Sequence, residues 1–188
     1  MSRNAPEVAC RAYQRCLVVT AGVGQTPVVA YVGLGSNLSN PESQVRQAMT
    51  ELGELPGTEL VARSAMYRTA PVGPTDQPDY VNAVVRLTTR LSPRGLLDEL
   101  QLIEQAHGRR RDGTRWGPRT LDLDVLLYGD ERLDEPGLQI PHPEMGGRAF
   151  VLVPLADVAP GGLQVPGVGS LVQLLERCPC QGVTPLVD

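Results

Sequence analysis

The clearest periodic signal lies at 41–53, where Val45, Ala48, Met49 and Leu52 recur on one helical face. Before it, V-V-A-Y-V-G-L at 28–34 is a short β-branched run that predicts a buried strand. Gly35 permits a tight turn between the two, and Asn40 ahead of Pro41 is placed to cap the helix. Residues 60–69 predict a second strand of mixed polarity, and 80–91 a third. Period two puts Tyr80, Asn82, Val84 and Arg86 on one face of that third strand. The intervening 70–79 carries three prolines and reads as a stiff, irregular loop of the kind that carries function. Ser92-Pro93 opens a second helix, with Leu96, Leu97, Leu100 and Ile103 on its apolar face and Gly108 at its end. His107 fits there as a helix-end cation. The run 121–128 predicts a strand with Leu121, Leu123 and Val125 facing one way and Asp122, Asp124 and Leu126 the other. After it come a hairpin-like excursion at 131–140, a constrained turn at 140–145 holding His142, and a helical turn near 144–149. An apolar strand is expected at 150–155 and a helix at 170–177.

Strand, helix, strand, strand, helix, strand is the β-α-β-β-α-β order of a ferredoxin-like α+β sandwich, here with an extra small strand and helix elaboration near the C-terminus. A doubly wound parallel sheet is the alternative, but no helix separates 60–69 from 80–91. With 188 residues, 41% hydrophobic and 20% charged, the chain suits one globular domain. Segment 1–27 is expected to be a disordered extension, 28–180 a single domain, and 181–188 a frayed tail. The net charge of −4 argues for a local anion site rather than a general nucleic-acid surface. No apolar run approaches the ~20 residues of a membrane span, and a cytoplasmic monomer is expected. Cys10, Cys16, Cys178 and Cys180 lack paired zinc spacing, so reduced thiols are the plainer reading and a structural zinc the other.

The chemistry concentrates at 108–128, where Arg109, Arg110, Arg111, Arg115 and Arg119 precede Asp122 and Asp124, with the chain's one tryptophan, Trp116, among them. The two aspartates share a strand face, their Cα atoms roughly 7 Å apart. Half-buried like charges need a counterion, and magnesium suits carboxylate and phosphate oxygens together. An edge strand with a solvated polar face is the bland alternative. Arg119 follows the rigid Gly117-Pro118, which suits a guanidinium aimed at a phosphate. His142, between two prolines, could add a phosphate contact, although a lone histidine in a turn is more often structural. An aromatic and an amide on one strand face, Tyr80 and Asn82, could stack a flat ring and bond its edge. On those residues alone, a surface tyrosine at a strand end is the simpler account.

The stretch R-W-G-P-R-T-L-D-L-D-V-L-L-Y-G at 115–129 resembles the signature of the 6-hydroxymethyl-7,8-dihydropterin pyrophosphokinases. So do G-L-G-S-N-L at 33–38, Y-R-T-A-P-V-G-P-T-D-Q-P-D-Y-V-N-A-V at 67–84, I-P-H-P at 140–143 and R-A-F-V-L-V-P-L at 148–155. The resemblance implies a ferredoxin-like core that moves a pyrophosphate from ATP to a pterin hydroxymethyl group, in folate biosynthesis. It implies two magnesium ions on Asp122 and Asp124, and catalytic roles for Arg109 and Arg119. It implies ATP contacts from Gln101, Arg111, Arg115 and His142, with Glu104 near Gln101. It implies a pterin pocket of Thr69, Pro71, Val72, Tyr80, Asn82 and Phe150, closed by Trp116 and Arg148. The chain departs from the family's pattern at Asp112-Gly113, where a basic residue is common, and at Pro143. A two-metal nuclease or phosphatase using the same D-x-D, and a non-catalytic nucleotide-binding module, are the competing classes.

Overall fold

The computed structural model describes residues 26–72, 76–109, 117–179 and 182–186. The expected extension therefore falls outside the described residues, apart from Thr26 and Pro27. Its first strand, β1, is Val28–Ser36, followed by helix α1 (Pro41–Gly53), β2 (Thr58–Arg63), β3 (Tyr67–Thr69) and β4 (Tyr80–Thr89). Helix α2 (Pro93–Ala106) and β5 (Asp122–Tyr128) complete the core. A small hairpin, β6 (Leu133–Glu135) with β7 (Leu138–Ile140), leads to a 3-10 turn at Met145–Gly147 and helix α3 (Ala149–Val158). The short pair β8 (Gln164–Val165) and β9 (Gly169–Ser170), helix α4 (Leu171–Arg177) and β10 (Thr184–Pro185) follow.

The main sheet runs β10-β3-β4-β1-β5, with β2 also paired to β4. Its core pairings are antiparallel, and with β2 and β3 counted as one broken strand the order is that of a ferredoxin-like sandwich. Strand alternation decides what each face buries. Ala30, Val32 and Leu34 of β1 and Val81, Ala83, Val85 and Leu87 of β4 pack under α1 and α2. The opposite face carries Tyr31, Val84 and Leu126, packed against Leu152 and Leu155 of α3 and Leu174 of α4. A bulge between Tyr31 and Val32 shifts the β1–β5 register, so that Leu126 and Leu127 both join this second layer. The D-x-D strand thus has its leucine face in one core and its aspartate face towards the other.

The structure corrects several expectations. The single strand at 60–69 is two strands, because Ser64 breaks it: Ser64 Oγ accepts from Val84 N–H at 3.0 Å. The expected strand at 150–155 is helix α3; wedged between the sheet and α4, it is apolar nearly all round and leaves no periodic signal. The tail is not frayed throughout, since Thr184–Pro185 pair with β3 and Leu186 N–H reaches Met66 O at 2.8 Å. Pro185 suits the outermost strand, where a missing N–H costs no ladder bond. Asn40 does occupy the N-cap of α1, but in a left-handed conformation (φ 64°) without a side-chain cap bond. Ser92 caps α2 as expected, accepting from Gly95 N–H at 3.1 Å, and Gly108 ends it at φ 78°. His107 does close α2, and its side chain is 3% exposed, held by Gln44 and Glu51 of α1.

Asp157 fastens α3 to the sheet edge. Its Oδ2 accepts from Tyr67 O–H at 2.8 Å and from Ala65 N–H at 3.2 Å. Burial, and then this carboxylate, push the Tyr67 hydroxyl up to about 12. The helix that carries Phe150 is therefore pinned at its far end to the strand that carries Thr69.

Candidate active site

The site begins with two glycines. In the register of the sheet, Gly35 of β1 lies opposite Asn82 of β4 on one side and Asp122 of β5 on the other. Gly33 lies likewise between Val84 and Asp124. Glycine at both positions leaves the middle strand without side chains on this face, so a trough runs between an amide strand and an acidic strand. A Cβ at Gly35 would come 3.2 Å from Asn82 Oδ1, and one at Gly33 3.4 Å from Leu126. Gly35 was expected in a turn and instead lies within β1. The two glycines, two residues apart, are the signal that could have revealed the trough.

A cavity of about 340 Å³ fills this trough, a volume typical of a small-molecule site. Thr69, Val72, Tyr80, Asn82, Arg119, Asp122, Asp124, His142, Arg148 and Phe150 all line it. Residues separated by up to 81 positions are thus brought together as the sequence predicts. Pro71 is half-buried in the adjoining loop and is not among the lining residues. Gln101 is half-buried on α2 and does not line it either, which leaves that expected contact outside the cavity. Arg111, Arg115 and Trp116 lie outside the described residues.

The apolar end is lined by Tyr80, Asn82, Thr69 and Phe150. Tyr80 is half-buried at the start of β4, and its O–H donates to Gly117 O at 3.1 Å. Burial raises its hydroxyl, against the opposing pull of Arg119 and Arg109. Asn82 is 6% exposed and gives its amide N–H to Thr69 Oγ1 at 2.8 Å, which fixes the amide's orientation and turns its oxygen towards Gly35. Phe150 faces in from α3, with the Arg148 guanidinium 5.6 Å from its ring centroid, a cation–π distance. Arg148 also pairs with Glu144.

The polar end concentrates charge. Asp122 takes Arg109 at 2.7 Å on one oxygen and Arg119 on the other. Arg109 also pairs with Glu104, a residue of α2 that is only 2% exposed and accepts Leu123 N–H at 2.8 Å. Arg109 itself is off the cavity lining but reaches its acidic wall. Asp124 lies deeper. Burial, then the Asp122 charge, raise its carboxyl, while His142 and both arginines pull it down. His142 is shifted down chiefly by burial; its Nδ1 accepts Glu144 N–H at 3.2 Å, which leaves Nε2 to carry the proton. Among the described residues no cluster of three or more His, Cys, Asp or Glu forms a cage. Two carboxylates on one wall fit a cation that keeps most of its shell for water and phosphate oxygens, which is magnesium's habit.

Asn37, in the turn between β1 and α1, ties the two ends together. It is 2% exposed. Its Oδ1 accepts Arg119 N–H at 2.7 Å, and its own N–H donates to Arg119 O at 3.0 Å. Its Nδ2 donates to Gln77 Oε1 and Pro78 O, each at 3.1 Å. Beside it Ser36 Oγ donates to Thr120 O at 2.6 Å. One turn after β1 therefore holds both the base of the arginine loop and the end of the proline-rich loop.

Comparison with known proteins shows the family. Residues 31–160 match the sequence profile of the 7,8-dihydro-6-hydroxymethylpterin-pyrophosphokinase (HPPK) family. A 2-amino-4-hydroxy-6-hydroxymethyldihydropteridine pyrophosphokinase of Pseudomonas aeruginosa is 53% identical over 156 residues, covering 83% of this chain and 95% of that protein. The Haemophilus influenzae protein of the same name is 48% identical over 150 residues, covering 80% and 92%. Among solved structures, a Plasmodium falciparum HPPK-DHPS with pteroate superposes with a TM-score of 0.64 at 14% identity. The match covers 84% of this chain and 44% of that longer one, and supports the fold.

Proposed function

The chain belongs to the 7,8-dihydro-6-hydroxymethylpterin-pyrophosphokinase family, and from that premise we propose that it transfers pyrophosphate from ATP to the hydroxymethyl group of 6-hydroxymethyl-7,8-dihydropterin, releasing AMP. The enzyme is a pyrophosphokinase, a transferase of folate biosynthesis. One observation carries the finer assignment: a ring-sized pocket and an acidic, arginine-flanked wall face each other across the side-chain-free strand at Gly33 and Gly35.

In this assignment the pterin lies between Tyr80 and Phe150, where offset stacking on aromatic faces holds a flat ring. Asn82, held by Thr69, reads its polar edge; Val72 and Pro71 close one side, and Arg148 and Trp116 the mouth. Asp122 and Asp124 are the residues that would hold two magnesium ions. Those ions, when bound, would neutralise phosphate charge and favour loss of the hydroxyl proton. Arg109 and Arg119, both paired with Asp122, are assigned to the phosphates. Arg111, Arg115, His142 and Gln101 are assigned to the nucleotide.

The pterin hydroxyl oxygen attacks the β-phosphorus in line. The bond from that phosphorus to the α,β-bridging oxygen breaks, AMP leaves, and the hydroxyl proton passes to solvent. Negative charge grows on non-bridging and leaving oxygens, so fixed guanidinium donors supply stabilisation without reorganising. Phosphoryl transfer needs positioning more than a strong base, in keeping with a site rich in cations. His142, shifted down and donating from Nε2, can give a neutral hydrogen bond to a phosphate oxygen.

We also take the enzyme to be a cytoplasmic monomer acting without nucleic acid or membrane. No helix of the described residues is long and apolar enough to cross a membrane. Purified protein given ATP, magnesium and the pterin should produce AMP only when all three are present. Phosphodiester or monoester cleavage without pterin would instead place the site among the two-metal hydrolases.

A further inference from the structure

A buried histidine outside the cavity has no part in the mechanism above. His107 closes α2, one residue before Gly108 (φ 78°) and two before Arg109. Its side chain is 3% exposed. Nε2 lies 2.9 Å from Glu51 Oε2, and Nδ1 meets Gln44 Oε1. Both partners belong to α1, so the ring is the polar bolt between the two helices under the sheet.

The surrounding bonds decide its protons. Glu51 accepts Gln47 Nε2–H on Oε1 at 2.9 Å and offers Oε2 to the ring. The Gln44 amide is oriented by its own Nε2–H, which donates to Ser39 O at 3.1 Å. That leaves Gln44 Oε1 as the atom facing the imidazole. Two acceptors against one ring require both ring nitrogens to donate. The charged group bonded to the ring is Glu51; Glu104, on the ring's own helix, is turned to Leu123 N–H and Arg109.

We infer that His107 is an imidazolium that acts as a positioning residue for Arg109, locking the end of α2 to α1 so that the guanidinium just past Gly108 is held on Glu104 and Asp122. The backbone supports the link. His107 N–H bonds Ile103 O and Arg109 N–H bonds Glu104 O, each at 3.0 Å, so loss of the lock frays the turn from which Arg109 projects. A charge-assisted, buried double contact is among the stronger side-chain links available to a helix end.

The kinetic half of this inference rests on the pyrophosphokinase assignment; the protonation half does not. The chain has two histidines, which makes nitrogen NMR of the labelled ring direct. At neutral pH the His107 ring should show two protonated nitrogens, and His142 one, with His107→Gln used to assign the signals. Kinetically, His107→Ala should lower kcat by roughly 10- to 100-fold, the cost of misplacing a reacting group, with both KM values within about threefold. His107→Gln, which restores one donor, should recover part of kcat. If His107→Ala does not fold, His107→Gln and Glu51→Gln carry the same comparison. An unprotonated ring nitrogen on His107, or a His107→Ala enzyme with kcat within twofold of the parent, overturns the inference. Wild-type protein inactive with the pterin would strike the assigned reaction instead, and the nitrogen spectrum would still decide the state of the ring.

Discussion

Replacing Asn37 with alanine removes a buried side chain that bonds both the base of the arginine loop and the end of the proline-rich loop. Three hydrogen bonds vanish: Arg119 N–H to Oδ1, and Nδ2 to Gln77 and Pro78. At about 1 kcal/mol net for each, the loss is roughly 3 kcal/mol. Leaving the Arg119 N–H without its acceptor adds to that figure rather than reducing it. For a chain of this size, 1 kcal/mol moves the midpoint by about 2–4 °C, so Tm should drop by roughly 6–12 °C. The kinetic effect should be larger than the stability effect implies. Arg119 begins its path at the bond to Asn37, and displacement of such a group by ~1 Å can cost on the order of 100-fold. Asn37→Asp sharpens the test, because it keeps the oxygen for Arg119 but sets an acceptor against Pro78 O. Its damage should therefore fall on the pterin KM more than on the ATP KM. Scanning calorimetry and initial rates with each substrate varied read both effects. An Asn37→Ala protein with Tm within about 2 °C and unchanged kcat/KM would refute the coupling of the loops through this residue.

Asp124→Asn should abolish most turnover, by on the order of 1,000-fold if it supports a metal worth several kcal/mol. The same change should raise the Tm of metal-free protein, because burial and Asp122 already oppose a charge at Asp124. Phe150→Ala should raise the pterin KM by about 5- to 100-fold, the range of ring stacking at 1–3 kcal/mol, and leave the ATP KM nearly unchanged. Tyr67→Phe should act through pH. The Tyr67 hydroxyl is pushed up to about 12, so its share of stability is full below about pH 10 and is lost as pH rises through 12. Urea midpoints measured from pH 9 to 12 should fall less steeply for Tyr67→Phe than for the parent; parallel slopes would count against the Tyr67–Asp157 clamp.

Much of the fold could be read from alternation alone. The leucine and aspartate faces of β5, and the split of β4 between Tyr80-Asn82 and Val81-Ala83, follow period two and emerge as the two cores. Helix α3 could not be read so, because V-L-V-P-L is β-branched, interrupted by Pro154 and apolar on every side; tertiary packing against the sheet and α4 overrides the local signal. The acidic pair and arginines announced an anion site by charge. The trough did not, since glycine contributes by lacking a side chain, and its effect exists only once β4 and β5 flank β1. The partners of His107 and Asn37 were hidden for a related reason. A polar residue beside a helix end or turn looks solvated until its partners, on α1 for one and on two loops for the other, are brought to it.

The most direct test of the assigned reaction is the stoichiometry of AMP formation. With ATP, magnesium and 6-hydroxymethyl-7,8-dihydropterin, the enzyme should form AMP and the pterin diphosphate one for one, and neither product when pterin or magnesium is omitted. Formation of ADP or inorganic phosphate in place of AMP, or AMP at the same rate without pterin, would contradict it.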